Sequence, residues 1–330
     1  MKEFYNWGYV GLGWIANHTV KTLQSTDRVK VLACGARTLG AAKEFAEKYD
    51  IPKFYTSYEE MADDPELDIV YICTPVNSHR ELAELFMNHG KHVICEKPMT
   101  RTSEEIRSME ECSTRNDVFC MEAMWTRLFP AILELQKIIK EGTIGEVRLV
   151  QANYSIFWPF DPEYHLYRLD MGGSTMLDQG IYPLTIASIA FDDVPIKQTG
   201  LANLRNGVDL RSGSVLGFEN GGIAVITTGA DIPGNSEAVI FGDKGWIKIP
   251  ECYHPDTLII HNNEDGSELK KVFPYEETGY QFEFEEVMKC VDEGKTQSPI
   301  VSLSLSAGII DTITALRKEW GVIYPDETNG

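Results

Sequence analysis

Tyr5-Asn6-Trp7-Gly8-Tyr9-Val10-Gly11-Leu12-Gly13-Trp14-Ile15-Ala16 decides the first part of the fold. An apolar, strand-like run stops at a glycine, a second glycine follows two residues on, and an alanine falls where a helix must pack closely on the strand. Gly11 makes the tight turn, Gly13 lets the backbone approach a pyrophosphate, and Ala16 keeps helix and strand close. The helix opening at Trp14 and Ile15 offers unpaired N–H groups and a positive dipole end to phosphate. A glycine pair alone means no more than a tight turn. Here it stands at the first strand–helix junction of the chain, which is the context a dinucleotide-binding fingerprint requires.

Outward from that turn, buried strand-like runs at residues 29–34, 69–73, 92–95 and 118–121 alternate with helical stretches at 15–24, 40–49, 57–63, 78–88 and 102–116. Alternation at this spacing predicts a parallel sheet covered on both faces. Ser103, followed by Glu104 and Glu105, is the expected N-cap of the last of these helices. After a helix at 130–140, strand-like segments follow one another at 146–155, 196–204, 209–219, 222–228, 237–241, 246–249, 257–261 and 269–273. Asn206-Gly207, Asn220-Gly221 and Asp265-Gly266 supply hairpin turns between several of them. Helices at 281–293 and 304–320 close the chain. The expected fold is an α/β Rossmann domain with a doubly wound parallel sheet, residues 1–125, then an α+β domain with a large open, mostly antiparallel sheet, residues 126–330. The C-terminal helix is free to pack back on the first domain. A chain of 330 residues accords with two domains, since one usually takes about 100–200.

The formal charge is −20, from 30 basic and 50 acidic residues. That balance repels nucleic acid and anionic membranes, so neither is an expected partner. The seven cysteines (Cys34, Cys73, Cys95, Cys112, Cys120, Cys252 and Cys290) show no Cys-x-x-Cys pair and read as buried free thiols of a reducing compartment. The histidines form no His-x-x-His or His-Glu-x-x-His cluster, so no metal site is expected. No apolar run reaches the roughly 18–20 residues that span a bilayer, and a strand beginning near Tyr5 leaves no expectation of a signal peptide. The protein is expected to be soluble and cytoplasmic.

The second strand bears on which dinucleotide is bound. A site for NAD usually places Asp or Glu about 20 residues on, on the adenine ribose hydroxyls. Residues 29–38 contain no acid, and Arg37 stands where a cation can pair with a 2′-phosphate and stack on adenine. NADP is therefore preferred, with NAD as the alternative. Taken alone, Arg37 is equally an ordinary surface arginine.

Three segments carry the chemistry. Cys73-Thr74-Pro75-Val76-Asn77-Ser78-His79 follows a buried strand at its carboxyl end, where open α/β sheets bind ligands, and His79 reads as a structural hydrogen-bonding residue rather than a catalyst. Cys95-Glu96-Lys97-Pro98 follows the next strand at the same edge. Lys97 is either an incidental surface charge or a group that emerges beside the nicotinamide, holds a substrate hydroxyl and stabilises charge on its oxygen. Pro98 restricts the turn, and a cis peptide there would fix the aim of Lys97. In the second domain, Gly173-Ser174-Thr175-Met176-Leu177-Asp178-Gln179-Gly180-Ile181-Tyr182-Pro183 has Ser174 as N-cap and places Asp178 and Tyr182 on one helical face. An Asp–Tyr pair capping a buried helix explains that spacing too. A tyrosine near a lysine has its phenolate favoured, which suits proton exchange with an alcohol.

With Gly11 to Ala16, Thr74-Pro75 through His79, Glu96-Lys97-Pro98 and Asp178-x-Gly-x-Tyr182 in place, the chain resembles the glucose–fructose oxidoreductase, inositol dehydrogenase and rhizopine catabolism (Gfo/Idh/MocA) family over essentially its whole length. Residues 121–130, Met-Glu-Ala-Met-Trp-Thr-Arg-Leu-Phe-Pro, look most like its dimeric dihydrodiol dehydrogenase branch. The resemblance implies an NAD(P)-dependent oxidoreductase that transfers a hydride between NADP(H) and a CH–OH or C=O carbon of a sugar, polyol or cyclic diol. It adds Thr74, Pro75, Asn77, His79, Glu96 and Lys97 to the cofactor contacts of Gly11, Gly13, Trp14, Ile15, Ala16 and Arg37. It makes Lys97 a substrate-binding residue that assists proton transfer, Tyr182 the general acid/base and Asp178 a residue that orients substrate or tunes the pair. Trp125 and Arg127 fall near the pocket, and Tyr154, Phe157, Trp158 and Tyr164 join Trp125 as a candidate aromatic wall for the substrate, although core packing accounts for each individually. Inositol dehydrogenases carry His where this chain has Tyr182, so the sequence leans away from that branch. Family members form dimers or tetramers through the second domain's sheet, and an uncovered sheet face with alternating apolar residues suits a homodimer or homotetramer.

Three rivals use the same fold: a non-catalytic cofactor- and sugar-binding regulator, an NAD-assisted glycoside hydrolase, and a biliverdin-type reductase. A chain freed from chemistry has no physical need of Lys97 with Tyr182, a hydrolase shows no net reduction, and a change of substrate class exposes the third.

Overall fold

The computed structural model describes residues 2–276, 278–325 and 327. Two compact units divide the chain: residues 1–125 with 276–306, and residues 126–275 with 307–330. Residues 276–306 thus join the first unit although in sequence they follow the second sheet.

In the first unit, β1 (Tyr5–Val10), β2 (Val29–Gly35), β3 (Lys53–Tyr55), β4 (Ile69–Ile72), β5 (His92–Glu96) and β6 (Cys120–Ala123) form a six-stranded sheet of order β3-β2-β1-β4-β5-β6. Every pairing is parallel. The order reverses between β1 and β4, so a crevice opens at the carboxyl ends of those two strands, where doubly wound sheets bind their ligands. β4 is buried at all four positions, as expected of a strand covered on both faces. The helices are α1 (Trp14–Ser25), α2 (Leu39–Lys48), α3 (Tyr58–Ala62), α4 (His79–Asn88) and α5 (Ser103–Asn116), with α8 (Gln281–Asp292) returning from the far end of the sequence. Phe284 of α8 packs edge-on against Trp7 and Tyr71, both at 5.6 Å, which is how that late helix closes the early core. The N-cap of α5 is Thr102, not Ser103: Thr102 Oγ1 accepts the Glu105 N–H and Glu105 reaches back to the Thr102 N–H, a capping box that Ser103 is one position too late to form.

The second unit is built on an eight-stranded sheet of order β14-β13-β12-β11-β7-β10-β9-β8. Its strands are β7 (Val147–Ser155), β8 (Lys197–Arg205), β9 (Val208–Gly217), β10 (Ile223–Gly229), β11 (Ala238–Gly242), β12 (Gly245–Ile249), β13 (Thr257–Asn262) and β14 (Glu268–Val272). All pairs are antiparallel except β7 with β10. Asn206 and Gly207 both adopt positive φ, +55° and +79°, as the two-residue turn between β8 and β9 demands. β10 alternates exposed and buried positions, so one face of the sheet is covered and the other is not. The covered face receives α7 (Ile181–Phe191), whose eleven residues are all buried; a helix apolar all round belongs in a core. α6 (Pro130–Lys140) and α9 (Leu303–Glu319) complete the set. No helix among the described residues is long and apolar enough to cross a membrane.

Candidate active site

Gly11 has φ +84°, and a Cβ there would fall 2.6 Å from Thr74 Cγ2 and 2.8 Å from the Thr74 nitrogen. Only glycine lets β1 turn this close to the chain leaving β4. A Cβ on Gly13 would meet nothing within 4 Å, so the surface in front of the turn is open to a ligand's close approach. Ala16 is fully buried against the sheet. No side chain caps α1 and no acid stands in its first turn, so its end keeps its positive character for an anion. These features fit a dinucleotide pyrophosphate. Trp14 is 74% exposed and stacks on His18 at 4.8 Å; His18 meets Tyr280 at 5.7 Å, and Tyr280 stacks on Trp125 at 4.3 Å. A series of four rings therefore runs from the phosphate loop to the end of β6.

Arg37 is exposed just beyond β2, beside Tyr58, whose phenol is raised by burial and pulled back by the guanidinium. Thr38 is the N-cap residue of α2, which has no acid in its first turn. An arginine, a hydroxyl and a helix N-terminus follow one another at this point, a combination that suits an anion.

Thr74 accepts a hydrogen bond from Ser78 Oγ at 2.8 Å, while Pro75 and Asn77 are exposed on the turn that leads into α4. His79 is 1% exposed, with Nδ1 at 3.2 and 3.1 Å from the Pro98 and Met99 carbonyls and Nε2 at 2.6 Å from the Thr74 carbonyl. Its ring ties the Thr74 turn to the loop after β5, and burial pushes its pKa down. The Lys97–Pro98 peptide is cis, and Lys97 is half-buried. Glu122 of β6, 2% exposed, accepts the Met99 N–H at 2.9 Å and the Ser306 hydroxyl at 2.6 Å, adding a second hold on the same loop. The Glu96 side chain is 8% exposed and turned inward to Tyr71 and Glu283; it serves the interior instead of the open sheet edge.

In the second unit, residues Met176–Gly180 form a π-helical turn that runs directly into α7. Ser174 Oγ accepts the Leu177 N–H at 3.1 Å, as an N-cap does. Asp209 of β9, fully buried, accepts the Met176 N–H at 2.7 Å. The π-turn contains the half-buried Asp178 and delivers Tyr182, 7% exposed, at the start of α7. Tyr182 lies edge-on to Tyr154 at 5.3 Å and to Tyr253 at 6.0 Å, and Tyr154 stacks on Tyr253 at 4.8 Å. Burial raises the Tyr253 phenol. Thr126 Oγ1 donates to the Tyr253 carbonyl at 2.6 Å, one residue before the buried Arg127. Trp158, 40% exposed, stacks on Tyr164 at 5.8 Å.

The sequence reading missed Tyr71, Glu122, Tyr253, Asp209 and Glu283. For Glu283 a signal was present: with Val287 and Cys290 it falls at i, i+4 and i+7, on the buried face of α8. All seven cysteines are free and buried, and among the described residues no group of three His, Cys, Asp or Glu is placed to hold a metal.

A family model described as an oxidoreductase family with an NAD-binding Rossmann fold matches residues 5–124, and the C-terminal domain model of the same family matches residues 132–248. The trans-1,2-dihydrobenzene-1,2-diol dehydrogenase of Danio rerio is 34% identical over 98% of both chains. Among solved structures, the aldose-aldose oxidoreductase of Caulobacter crescentus superposes with a TM-score of 0.86 at 23% identity, over 96% of this chain and 97% of its own. A 3-ketoreductase of Actinomadura kijaniata, in complex with NADP and TDP-benzene, also gives 0.86, at 21% identity over 97% and 99%. At those identities the two structures speak for the fold.

Proposed function

The chain belongs to the Gfo/Idh/MocA family of oxidoreductases and is a nicotinamide-dependent dehydrogenase or reductase; from that premise we propose that it moves a hydride between NADP(H) and the CH–OH or C=O carbon of a small cyclic diol, sugar or polyol. The observation that carries the reading is a phenol, Tyr182, held nearly buried at the head of α7 by Tyr154 and Tyr253. A proton-exchanging group set among rings suits a substrate with a carbon skeleton to cover and a hydroxyl to deprotonate.

Gly11, Gly13 and the N-terminus of α1 hold the pyrophosphate, with Trp14, Ile15, Thr74, Pro75 and Asn77 lining the same turns. Arg37, Thr38 and the N-terminus of α2 hold the 2′-phosphate, which is the basis for placing NADP ahead of NAD. When bound, the nicotinamide supplies the hydride acceptor or donor. Lys97 holds the substrate oxygen and stabilises negative charge on it. Tyr182 takes the hydroxyl proton in oxidation and returns it in reduction. Asp178 orients the reacting group, and Trp125, Arg127, Tyr154 and Trp158 surround the substrate.

A second copy of the chain is the partner we propose for the uncovered sheet face. Leu201 is 84% exposed, Val215 and Ile223 46% each, and Val225 37%. Apolar residues in that number on one face favour a homodimer or homotetramer. Light scattering that returns a monomer at micromolar concentration removes this part of the reading.

The deciding experiment is a turnover screen with NADP and NAD against aldoses, inositols, ketoses and cyclic diols, with Lys97→Met and Tyr182→Phe alongside. Each substitution should lower kcat by about 10²–10⁴-fold. The double variant should lose scarcely more than either single one, as expected of two groups serving one proton transfer. Near-normal turnover in both single variants discards the assignment.

A further inference from the structure

Glu96 ends β5 and is followed at once by Lys97, so whatever fixes Glu96 fixes the peptide from which the lysine departs. Glu96 Oε1 is in hydrogen-bond contact with the Tyr71 hydroxyl of β4, and Glu96 Oε2 accepts the Lys97 N–H at 3.1 Å. The same Tyr71 oxygen lies 3.1 Å from Oε1 of Glu283 on α8. The other oxygen of Glu283 is buried with no hydrogen-bond partner among the described residues. Tyr71 and Glu283 are fully buried. Facing the trio from the surrounding elements are Tyr9 of β1, Cys73 after β4, Cys95 of β5, Glu122 of β6 and Tyr280 ahead of α8, with Lys97 supplying positive charge.

A phenol has one proton to give. It cannot serve two carboxylates at once, and two bare carboxylates around one buried oxygen repel each other with no water to screen them. The hydrogen bonds close if Glu283 carries a proton and donates it to the Tyr71 oxygen, leaving the phenol proton for Glu96. Burial and the neighbouring acid push the Glu283 carboxyl well above the carboxylate range. Burial raises Glu96 as well, to about 7, even though the Tyr71 hydroxyl, the Lys97 ammonium and the Lys97 N–H all favour its charged form. Above about pH 7 the protons therefore sort themselves, neutral on α8 and charged on β5.

We propose that Glu283, Tyr71 and Glu96 form a directed hydrogen-bond chain that stores one proton inside the first unit, keeps the Glu96 carboxylate charged, and through that charge holds Lys97 in place as an ammonium. All three are positioning residues that act through Lys97, and the proposal rests on the role given to Lys97 above. Protonation of Glu96 removes the charge that Lys97 faces and the best acceptor for its N–H. The acid limb of the turnover profile then belongs to Glu96.

Two measurements on the full chain test this. The infrared spectrum of the cofactor-free protein at about pH 8, where an ordinary carboxyl is ionised, should contain the C=O stretch of a buried protonated carboxyl, and that band should vanish in Glu283→Gln. Its absence from the native protein, or its survival in Glu283→Gln, overturns the stored proton. Tyr71→Phe removes the donor that stabilises the Glu96 charge, so the acid limb of kcat should move up by about one to two pH units, the equivalent of one hydrogen bond to a charged group. A uniform fall in kcat with the limb unmoved is what a merely structural tyrosine gives, and overturns the link to Lys97. If Lys97→Met keeps its turnover, the catalytic role of Lys97 fails while the infrared band stays, so the two failures separate.

Discussion

The carboxylate of Asp209 receives the Met176 N–H at 2.7 Å, so a strand of the large sheet holds the first residue of the π-turn that leads to Tyr182. Asp209 is fully buried, and burial raises its pKa to about 6 against the opposing hydrogen bonds from Ser174 and Met176. An acid whose folded pKa lies above its unfolded value binds its proton more tightly in the native state. Stability from this group is therefore greatest below about pH 4, the unfolded value, and is lost as pH rises through the folded value. Asp209→Asn keeps an acceptor for Met176 without the buried charge. It should raise the melting temperature above neutral pH, by a margin equivalent to about 3 kcal/mol at most, and converge on the native protein near pH 4. A difference that stays constant between those two conditions contradicts the shift.

Gly11 and Gly13 should respond oppositely to alanine. The Gly11→Ala Cβ would meet the Thr74 backbone and would sit at positive φ, so the first unit should lose about 2 kcal/mol or more, visible in urea unfolding. Gly13→Ala meets nothing and should unfold as the native chain does, yet bind NADP more weakly. Trp14 fluorescence, at the same turn, reads that binding directly.

Arg37→Ala should cut kcat/KM for NADP by about 10–100-fold and leave the value for NAD nearly unchanged, since only one of the two carries the phosphate that a guanidinium would pair with. Equal losses with both cofactors would assign Arg37 to the adenine face or to the surface.

Arg317 of α9 is fully buried, donates to Glu327 at 3.0 and 2.8 Å and to the Val322 carbonyl at 2.8 Å, and lies over the Tyr324 ring at 3.9 Å. Tyr324 in turn donates to the Gly172 carbonyl at 3.2 Å, two residues before the Ser174 cap. Glu327→Gln strands a buried guanidinium and should cost about 3–5 kcal/mol in thermal or urea unfolding. A loss within experimental error would mean that the ion pair does not persist in solution.

Much of this was legible in the chain because the longer strands of the first unit are largely apolar runs and glycine stands where the backbone must turn. β3 was not, since three residues on an edge, none of them buried, carry no pattern. The capping box was written in Thr102 and Glu105, but two adjacent hydroxyl residues offered the wrong one first. The parallel pairing of β7 with β10 was hidden for another reason: turn residues report which strands are neighbours in sequence, and these two are joined by none. Buried acids are the hardest to read. Glu96, Glu122 and Glu283 look like any surface glutamate until three-dimensional packing removes their water, and the π-turn at Met176–Gly180 has no residue signature that separates it from an α-turn.

Phe284 fills the space between Trp7 and Tyr71, although 212 positions separate Tyr71 of β4 from Glu283 of α8. During synthesis the first 125 residues therefore emerge long before the helix that seals their core. Until α8 leaves the ribosome, the Trp7 and Tyr71 side chains lack their cover, and a nascent Rossmann sheet waits in a state that chaperones can bind. Early truncation products should for that reason be degraded or aggregated, even though they contain the complete phosphate loop.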